Sequence, residues 1–238
     1  MNYSELDREK LKKQAVDGAM DWIEANYDTA RELRVGVGSG STVTYSFPRF
    51  AEYPRLTAVP SSEKTRKRLV ELGVEVDGLR ETDRLLFDLD GADEVDPELN
   101  LIKGGGGCHY REKKVAKHSE LLFIVVDETK LVDYLGQTFP LPVEVYPETR
   151  DETGDLLSKY GDTQLRYVDG ELFRTDSGNV IFDLELDRKL NGEDLSEFEK
   201  ELNEVDGVVE NGFFANRKAD MVFVGTEDGL EVIGDESS

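Results

Sequence analysis

Residues 85–130, LLFDLDGADEVDPELNLIKGGGGCHYREKKVAKHSELLFIVVDETK, narrow what this chain can fold into more than any other stretch. They open on Leu85, Leu86 and Phe87, an apolar run of the kind that forms a buried strand, and pass into Asp88, Asp90 and Asp93, where such a strand meets solvent. In open α/β sheets ligands bind outside the carboxyl ends of the strands, so acids gathered there are placed for chemistry. Lys103 and four glycines, Gly104, Gly105, Gly106 and Gly107, follow. Each glycine costs about 1 kcal/mol inside a helix or strand, so the run is a loop whose backbone something approaches closely. Tyr110, Arg111 and Glu112 then begin a charged helix with Glu112 in its first turn, and residues 121–126 form a second apolar strand ending at Asp127 and Lys130. Two strand ends, a glycine loop and a helix start are expected to converge.

The segment before this stretch alternates strands and helices. Ser4 with Asp7 three residues on reads as a helix N-cap, and Leu11, Ala15, Met20, Trp22 and Ile23 continue an amphipathic helix. Lys12 and Lys13 lie midway, where spacing alone makes them a solvated face. Residues 33–43 read as a short strand, a turn containing Gly36, Gly38, Ser39, Gly40, Ser41 and Thr42, and a helix through Tyr45 and Phe50. Backbone N–H groups of such a turn, with the positive end of a helix behind them, suit a phosphate; a plain tight turn is the alternative. A dinucleotide fingerprint needs a third glycine where Ser41 stands, and the Gly-Lys-Ser/Thr of a P-loop is absent. A strand at 56–59, a helix from Ser62 and Glu63 to Gly73, and a strand at 74–76 complete a pattern that predicts a mainly parallel sheet.

Beyond Lys130 the punctuation changes. Phe139-Pro140-Leu141-Pro142 marks a boundary, followed by a strand at 143–145, a helix to Tyr160, strands at 164–168 and 180–186, a helix at 195–202 and a strand at 208–209. This β-α-β-β-α-β order is that of a split βαβ, ferredoxin-like unit. Strands at 221–225 and 230–233 flank an Asp228-Gly229 turn and return the chain to the first sheet. The expected fold class is therefore α/β, a Rossmann-like sheet with helices on both faces, plus a smaller α+β domain. Residues 1–136 and 214–238 are assigned to the former and 137–213 to the latter.

Composition limits the partners. With 52 Asp and Glu against 29 Lys and Arg, a net charge of −23 opposes binding to nucleic acid or an anionic membrane. The acids are spread along the chain, which fits a surface adapted to high salt, where the Debye length falls to about 3 Å at 1 M. No run approaches the ~18 apolar residues of a membrane span. The start, MNYSELDREK, lacks the apolar core of a signal peptide, so a cytoplasmic location is expected. Cys108, His109 and His118 are the whole stock of Cys and His, too few for an intrachain disulfide or an ordinary zinc site.

Two motifs have competing readings. Phe87-Asp88-Leu89-Asp90-Gly91 resembles the aspartyl nucleophile of haloacid-dehalogenase-type phosphatases, but Ala92 stands where that motif closes on a hydroxyl or β-branched residue. A calcium loop fails because Gly91 is fourth from Asp88, not sixth. Glu112 complements a helix dipole by itself. Beside a lysine, a glycine loop and two further acids it also fits proton abstraction next to a carbonyl.

Taken together, these blocks closely resemble ribose-5-phosphate isomerases of the A type. Ser39-Gly40-Ser41-Thr42 matches the family's phosphate loop, with Ser39 where threonine is common. Asp90-Gly91-Ala92-Asp93 matches its D-G-A-D element, Lys103-Gly104-Gly105-Gly106 its K-G-G-G element, Glu112 its general base and Lys130 the lysine after the next strand. Lys13 is the counterpart of an amino-terminal lysine near the phosphate, and Phe139-Pro140-Leu141-Pro142-Val143-Glu144 and Phe214-Ala215-Asn216-Arg217 match further signatures. The resemblance implies aldose-ketose isomerisation of D-ribose 5-phosphate to D-ribulose 5-phosphate through an enediolate, without metal or organic cofactor, by a homodimer or larger homo-oligomer. It implies that Glu112 moves the proton, Lys103 and the glycine N–H groups hold the oxyanion, and Asp90 and Asp93 bind sugar hydroxyls. Two other readings are a sugar-phosphate sensor on the same scaffold and a magnesium-dependent phosphatase. The single helix before the first strand is too little for the helix-turn-helix of such sensors.

Overall fold

Ser4 caps the first helix, α1 (Glu5–Asn26), in a full capping box: its hydroxyl accepts the Asp7 N–H and the Asp7 carboxylate accepts the Ser4 N–H. In this computed structural model, which describes residues 3–190 and 192–234, β1 (Leu33–Val37), α2 (Phe47–Phe50), β2 (Leu56–Pro60), α3 (Glu63–Glu71) and β3 (Glu75–Val76) follow. Next come β4 (Leu85–Asp90), β5 (Glu94–Val95), β6 (Leu101–Ile102), α4 (His109–Lys117) and β7 (Ser119–Asp127). After them are β8 (Leu141–Val145), α5 (Arg150–Leu157), β9 (Gly161–Leu165), β10 (Tyr167–Val168), β11 (Glu171–Leu172) and β12 (Val180–Leu186). The chain closes with α6 (Glu193–Asn203), β13 (Val208–Asn211), β14 (Phe213–Phe214), β15 (Met221–Thr226) and β16 (Gly229–Gly234).

Contacts divide the chain into two units, the first holding residues up to Ala92, Arg111–Lys130 and those from Ala219 onward, the second Asp93–Tyr110 and Leu131–Lys218. The first unit carries a seven-stranded sheet in the order β16-β15-β7-β4-β1-β2-β3. Every pairing in it is parallel except the β15–β16 hairpin, as the alternating pattern predicts. Its core joins Ala15, Val16, Ala19 and Ile23 of α1 to Val35, Val37, Phe87, Leu89, Phe123 and Val125 of the strands.

Two local expectations change. Asp90 pairs in register with Ile124, so β4 runs to Asp90, and Asp88 lies inside the strand, 1 % exposed, rather than at its solvent end. The helix expected through Tyr45 and Phe50 is a four-residue 3₁₀ turn, Val43–Ser46, and then the single turn α2. Pro48 is tolerated there only because it falls in a first turn, and Pro54 forbids continuation.

The second unit contains a four-stranded antiparallel sheet, β13-β8-β12-β9, with α5 between β8 and β9 and α6 between β12 and β13, the order of the split βαβ pattern. It also takes in segments that boundaries at 137 and 213 leave with the first unit, for two reasons. β14, β6 and β5 pair as a three-stranded sheet. The fully buried Glu94 carboxylate accepts the N–H groups of Gly136, Thr138 and Phe139, tying the segment after residue 131 to β5.

Phe123 sits fully buried at the centre of the first unit, with the rings of Trp22, Phe87 and Phe223 at 5.0, 5.5 and 6.1 Å. Phe123→Ala should therefore cost about 3–5 kcal/mol of stability, read from urea unfolding.

Candidate active site

In the first unit, parallel pairing of β1 with β4 brings the turn after β1 beside the end of β4. Asp90, fully buried, accepts the Ser39 N–H at 3.1 Å and the Gly91 N–H at 2.7 Å on one oxygen, Oδ1. Gly38 has no alternative here, since a Cβ at that position would lie 1.9 Å from the Asp90 Cγ. The Ser39 hydroxyl donates to Oε1 of Glu112, which α4 presents from its first turn at 4 % exposure. A hydroxyl-oriented, nearly buried carboxylate and an acid fixed by backbone N–H groups thus share one serine.

The same turn meets α1. Lys12 Nζ donates to the Ser41 hydroxyl at 3.2 Å and to Glu9 at 2.7 Å. Glu9 also accepts from the Tyr45 hydroxyl, and these two donors, Lys12 first, hold its carboxyl below the usual range. Lys13 points to the other side of α1, where with Asp17 and Asp21 it lines a groove of about 610 Å³. The resemblance points to Lys13, whereas the side chain that reaches the turn is that of the adjacent Lys12, and the helical period distinguishes the two. Lys12 continues the stripe of Val16, Ala19 and Ile23, buried in the structure, whereas Lys13 continues that of Asp17 and Asp21. Gly40 and Ser41 are exposed, Thr42 is half-buried, and Lys130 is half-buried at the end of the 3₁₀ turn Glu128–Lys130 that follows β7.

In the second unit, Asp93 accepts the Gly105 N–H at 2.7 Å, joining the D-G-A-D element to the glycine loop. Lys103 is 3 % exposed, with its N–H on the Gly212 carbonyl at 2.9 Å and its ammonium 5.5 Å from the centre of the Phe214 ring. Gly104 has φ +106°, and a Cβ there would strike the His109 ring at 2.5 Å, so the buried His109 shapes the loop from below. Gly105 and Gly106 are exposed. Gly91 and Ala92, half-buried, carry the chain from β4 to Asp93. Among the described residues, no group of three or more His, Cys, Asp or Glu is arranged to hold a metal ion.

A parallel sheet with a hydroxyl-rich turn and acids at the carboxyl ends of its strands defines an open α/β protein of the kind that binds a small ligand at that edge. The chain belongs to the ribose 5-phosphate isomerase A (phosphoriboisomerase A) family, whose model matches residues 57–229. It is 42 % identical to the ribose-5-phosphate isomerase A of a Synechococcus species over 207 residues, 83 % of this chain and 88 % of that protein. A solved D-ribose-5-phosphate isomerase in complex with phospho-erythronic acid superposes with a TM-score of 0.87 at 34 % identity, covering 99 % of this chain and 100 % of that one. The ribose 5-phosphate isomerase of Plasmodium falciparum gives 0.87 at 30 % identity, over 96 % and 99 %. The aspartyl-phosphatase reading of residues 87–91 also loses its geometry, because Asp88 is enclosed within β4.

If the turn after β1 receives an anion, Lys12 rather than Lys13 supplies the positive charge. Lys12→Ala should weaken binding of inorganic phosphate about tenfold, the scale of one charge-assisted hydrogen bond, while Lys13→Ala leaves it unchanged in the same titration calorimetry.

Proposed function

We propose that this chain interconverts D-ribose 5-phosphate and D-ribulose 5-phosphate, with Glu112 taking the proton from C2 and returning it to C1 through a cis-enediolate. The observation that carries this reading is the state of Glu112: 4 % exposed, at the start of α4, and hydrogen-bonded by the Ser39 hydroxyl. A base must be held at a fixed orientation, and a hydroxyl donor does this without neutralising it. Phospho-erythronic acid, bound by a relative 34 % identical, carries a planar carboxylate that copies the two oxygens of an enediolate, which supports the same intermediate here.

Lys103 and the N–H groups of Gly104 and Gly106 are assigned to the developing oxyanion, with Gly105 lining the site while its N–H is held by Asp93, and Asp90 and Asp93 are assigned to the sugar hydroxyls and ring opening. Gly91 and Ala92 line the sugar. Ser39, Gly40, Ser41 and Thr42, with Lys130 and with Lys12 in the place expected of Lys13, hold the phosphate. Binding energy spent on that remote group sets C2 against the base. Nothing in the scheme requires a metal or an organic cofactor. We place the enzyme in the cytoplasm as a homodimer or larger homo-oligomer built from an α/β and a ferredoxin-like domain. A net charge of −23 supports adaptation to high salt.

A coupled assay of ribulose 5-phosphate formation tests the activity, which should persist in EDTA. Release of inorganic phosphate instead, or no turnover at all, would refute the isomerase reading. Glu112→Gln keeps the shape of the side chain but not its basicity, and kcat should fall by about 10² or more while substrate still binds. Near-normal turnover in this variant would remove Glu112 from the mechanism.

A further inference from the structure

We propose that Arg166, from the link between β9 and β10, is a positioning residue that clamps the glycine loop and aims the Gly106 N–H. The inference rests on the isomerase reading and deepens it. Four glycines in succession have more backbone freedom than any other sequence, yet an oxyanion site works only when its donors are fixed before the charge develops. Within the loop the Gly107 N–H closes a turn on the Gly104 carbonyl at 2.9 Å, and something outside must hold the exposed Gly105 and Gly106 between them.

Arg166 does so with one nitrogen. Its Nη1 donates to the Gly104 carbonyl at 2.8 Å and to the Gly105 carbonyl at 3.1 Å. Its other edge is gripped by Asp183, which accepts from Nε at 2.9 Å and from Nη2, so the guanidinium of a side chain only 11 % exposed is locked between carboxylate and loop. The Gly104–Gly105 peptide is consequently held at both ends, its carbonyl by Arg166 and its N–H by Asp93 at 2.7 Å. In the next peptide the carbonyl faces Arg166. A trans peptide opposes its C=O and N–H, so the N–H of the exposed Gly106 points away from the guanidinium. Phe173 completes the clamp. Its N–H bonds the Arg166 carbonyl at 3.0 Å, and its ring packs where a Cβ on Gly107 would lie 2.4 Å away.

A clamp of this kind acts on the developing charge and leaves the phosphate alone. Arg166→Ala should lower kcat at least about tenfold with KM changed less than about threefold, and should weaken phospho-erythronic acid in step with kcat/KM. Arg166 and Asp183 line a cavity of about 410 Å³, so guanidinium added at millimolar concentration has a route to the vacated place and should restore part of the lost kcat. Arg166→Lys, which cannot fork between the two carbonyls and Asp183, should remain impaired. A folded Arg166→Ala with kcat within twofold of wild type would overturn the proposal, as would a loss that guanidinium does not recover. Should that variant not fold, Asp183→Asn and Arg166→Lys decide by the same kcat-against-KM split, and unchanged kcat in both would overturn it. Failure of the isomerase reading is separate, since it would appear as inactivity of the wild type.

Discussion

A single carboxylate oxygen, Oδ1 of Asp90, holds together the parts of the first unit to which the chemistry is assigned in the proposed mechanism. It takes N–H groups from the turn after β1 and from the exit of β4, at 3.1 and 2.7 Å, so that two adjacent parallel strands end in one fixed arrangement. Ser39 extends that arrangement to Glu112 through its hydroxyl, and Ser41 extends it to Lys12 and thence to Glu9. The order of dependence runs from sheet to turn to side chain. Gly38 is where it is most exposed to mutation, because the space a Cβ would need belongs to Asp90.

The second unit solves a different problem with similar means. Its connecting segments contain few regular elements, and several buried carboxylates organise them. Glu94 holds residues 136–139, Glu144 takes Thr175 and Asn179, and Glu199 takes the N–H groups of Ala215 and Asn216. Buried carboxylates are costly unless their lone pairs are satisfied by donors, and backbone N–H groups of loops are donors that need acceptors. Each requirement meets the other. The glycine loop belongs to the same scheme, with Asp93 on its N–H side and Arg166 on its carbonyl side.

Net charge adds a constraint on function. A chain carrying −23 repels an anionic substrate at long range, and salt shortens that range without supplying attraction. Affinity for a phosphate then depends on a few close donors, the role proposed for the Lys12 ammonium beside the Ser41 hydroxyl. Glu9 offsets part of the charge of Lys12 while restraining where it points.

The sequence by itself determined the strand and helix alternation, the mainly parallel sheet, the βαββαβ order of the second unit and the family. These depend on local signals: apolar runs, caps such as Ser4 and Ser62, turn residues such as Gly73, and contiguous motifs around Asp90, Lys103 and Glu112. Only the tertiary structure decided how far β4 runs before its acids emerge and where the segments around β5, β6 and β14 belong. It alone put Arg166 against Gly104, across 62 positions of sequence. The reason is physical. Local propensity acts over a few residues, whereas pairing register, burial of a carboxylate and a charged hydrogen bond to a distant carbonyl are settled only when separated segments compete for the same donors, acceptors and space.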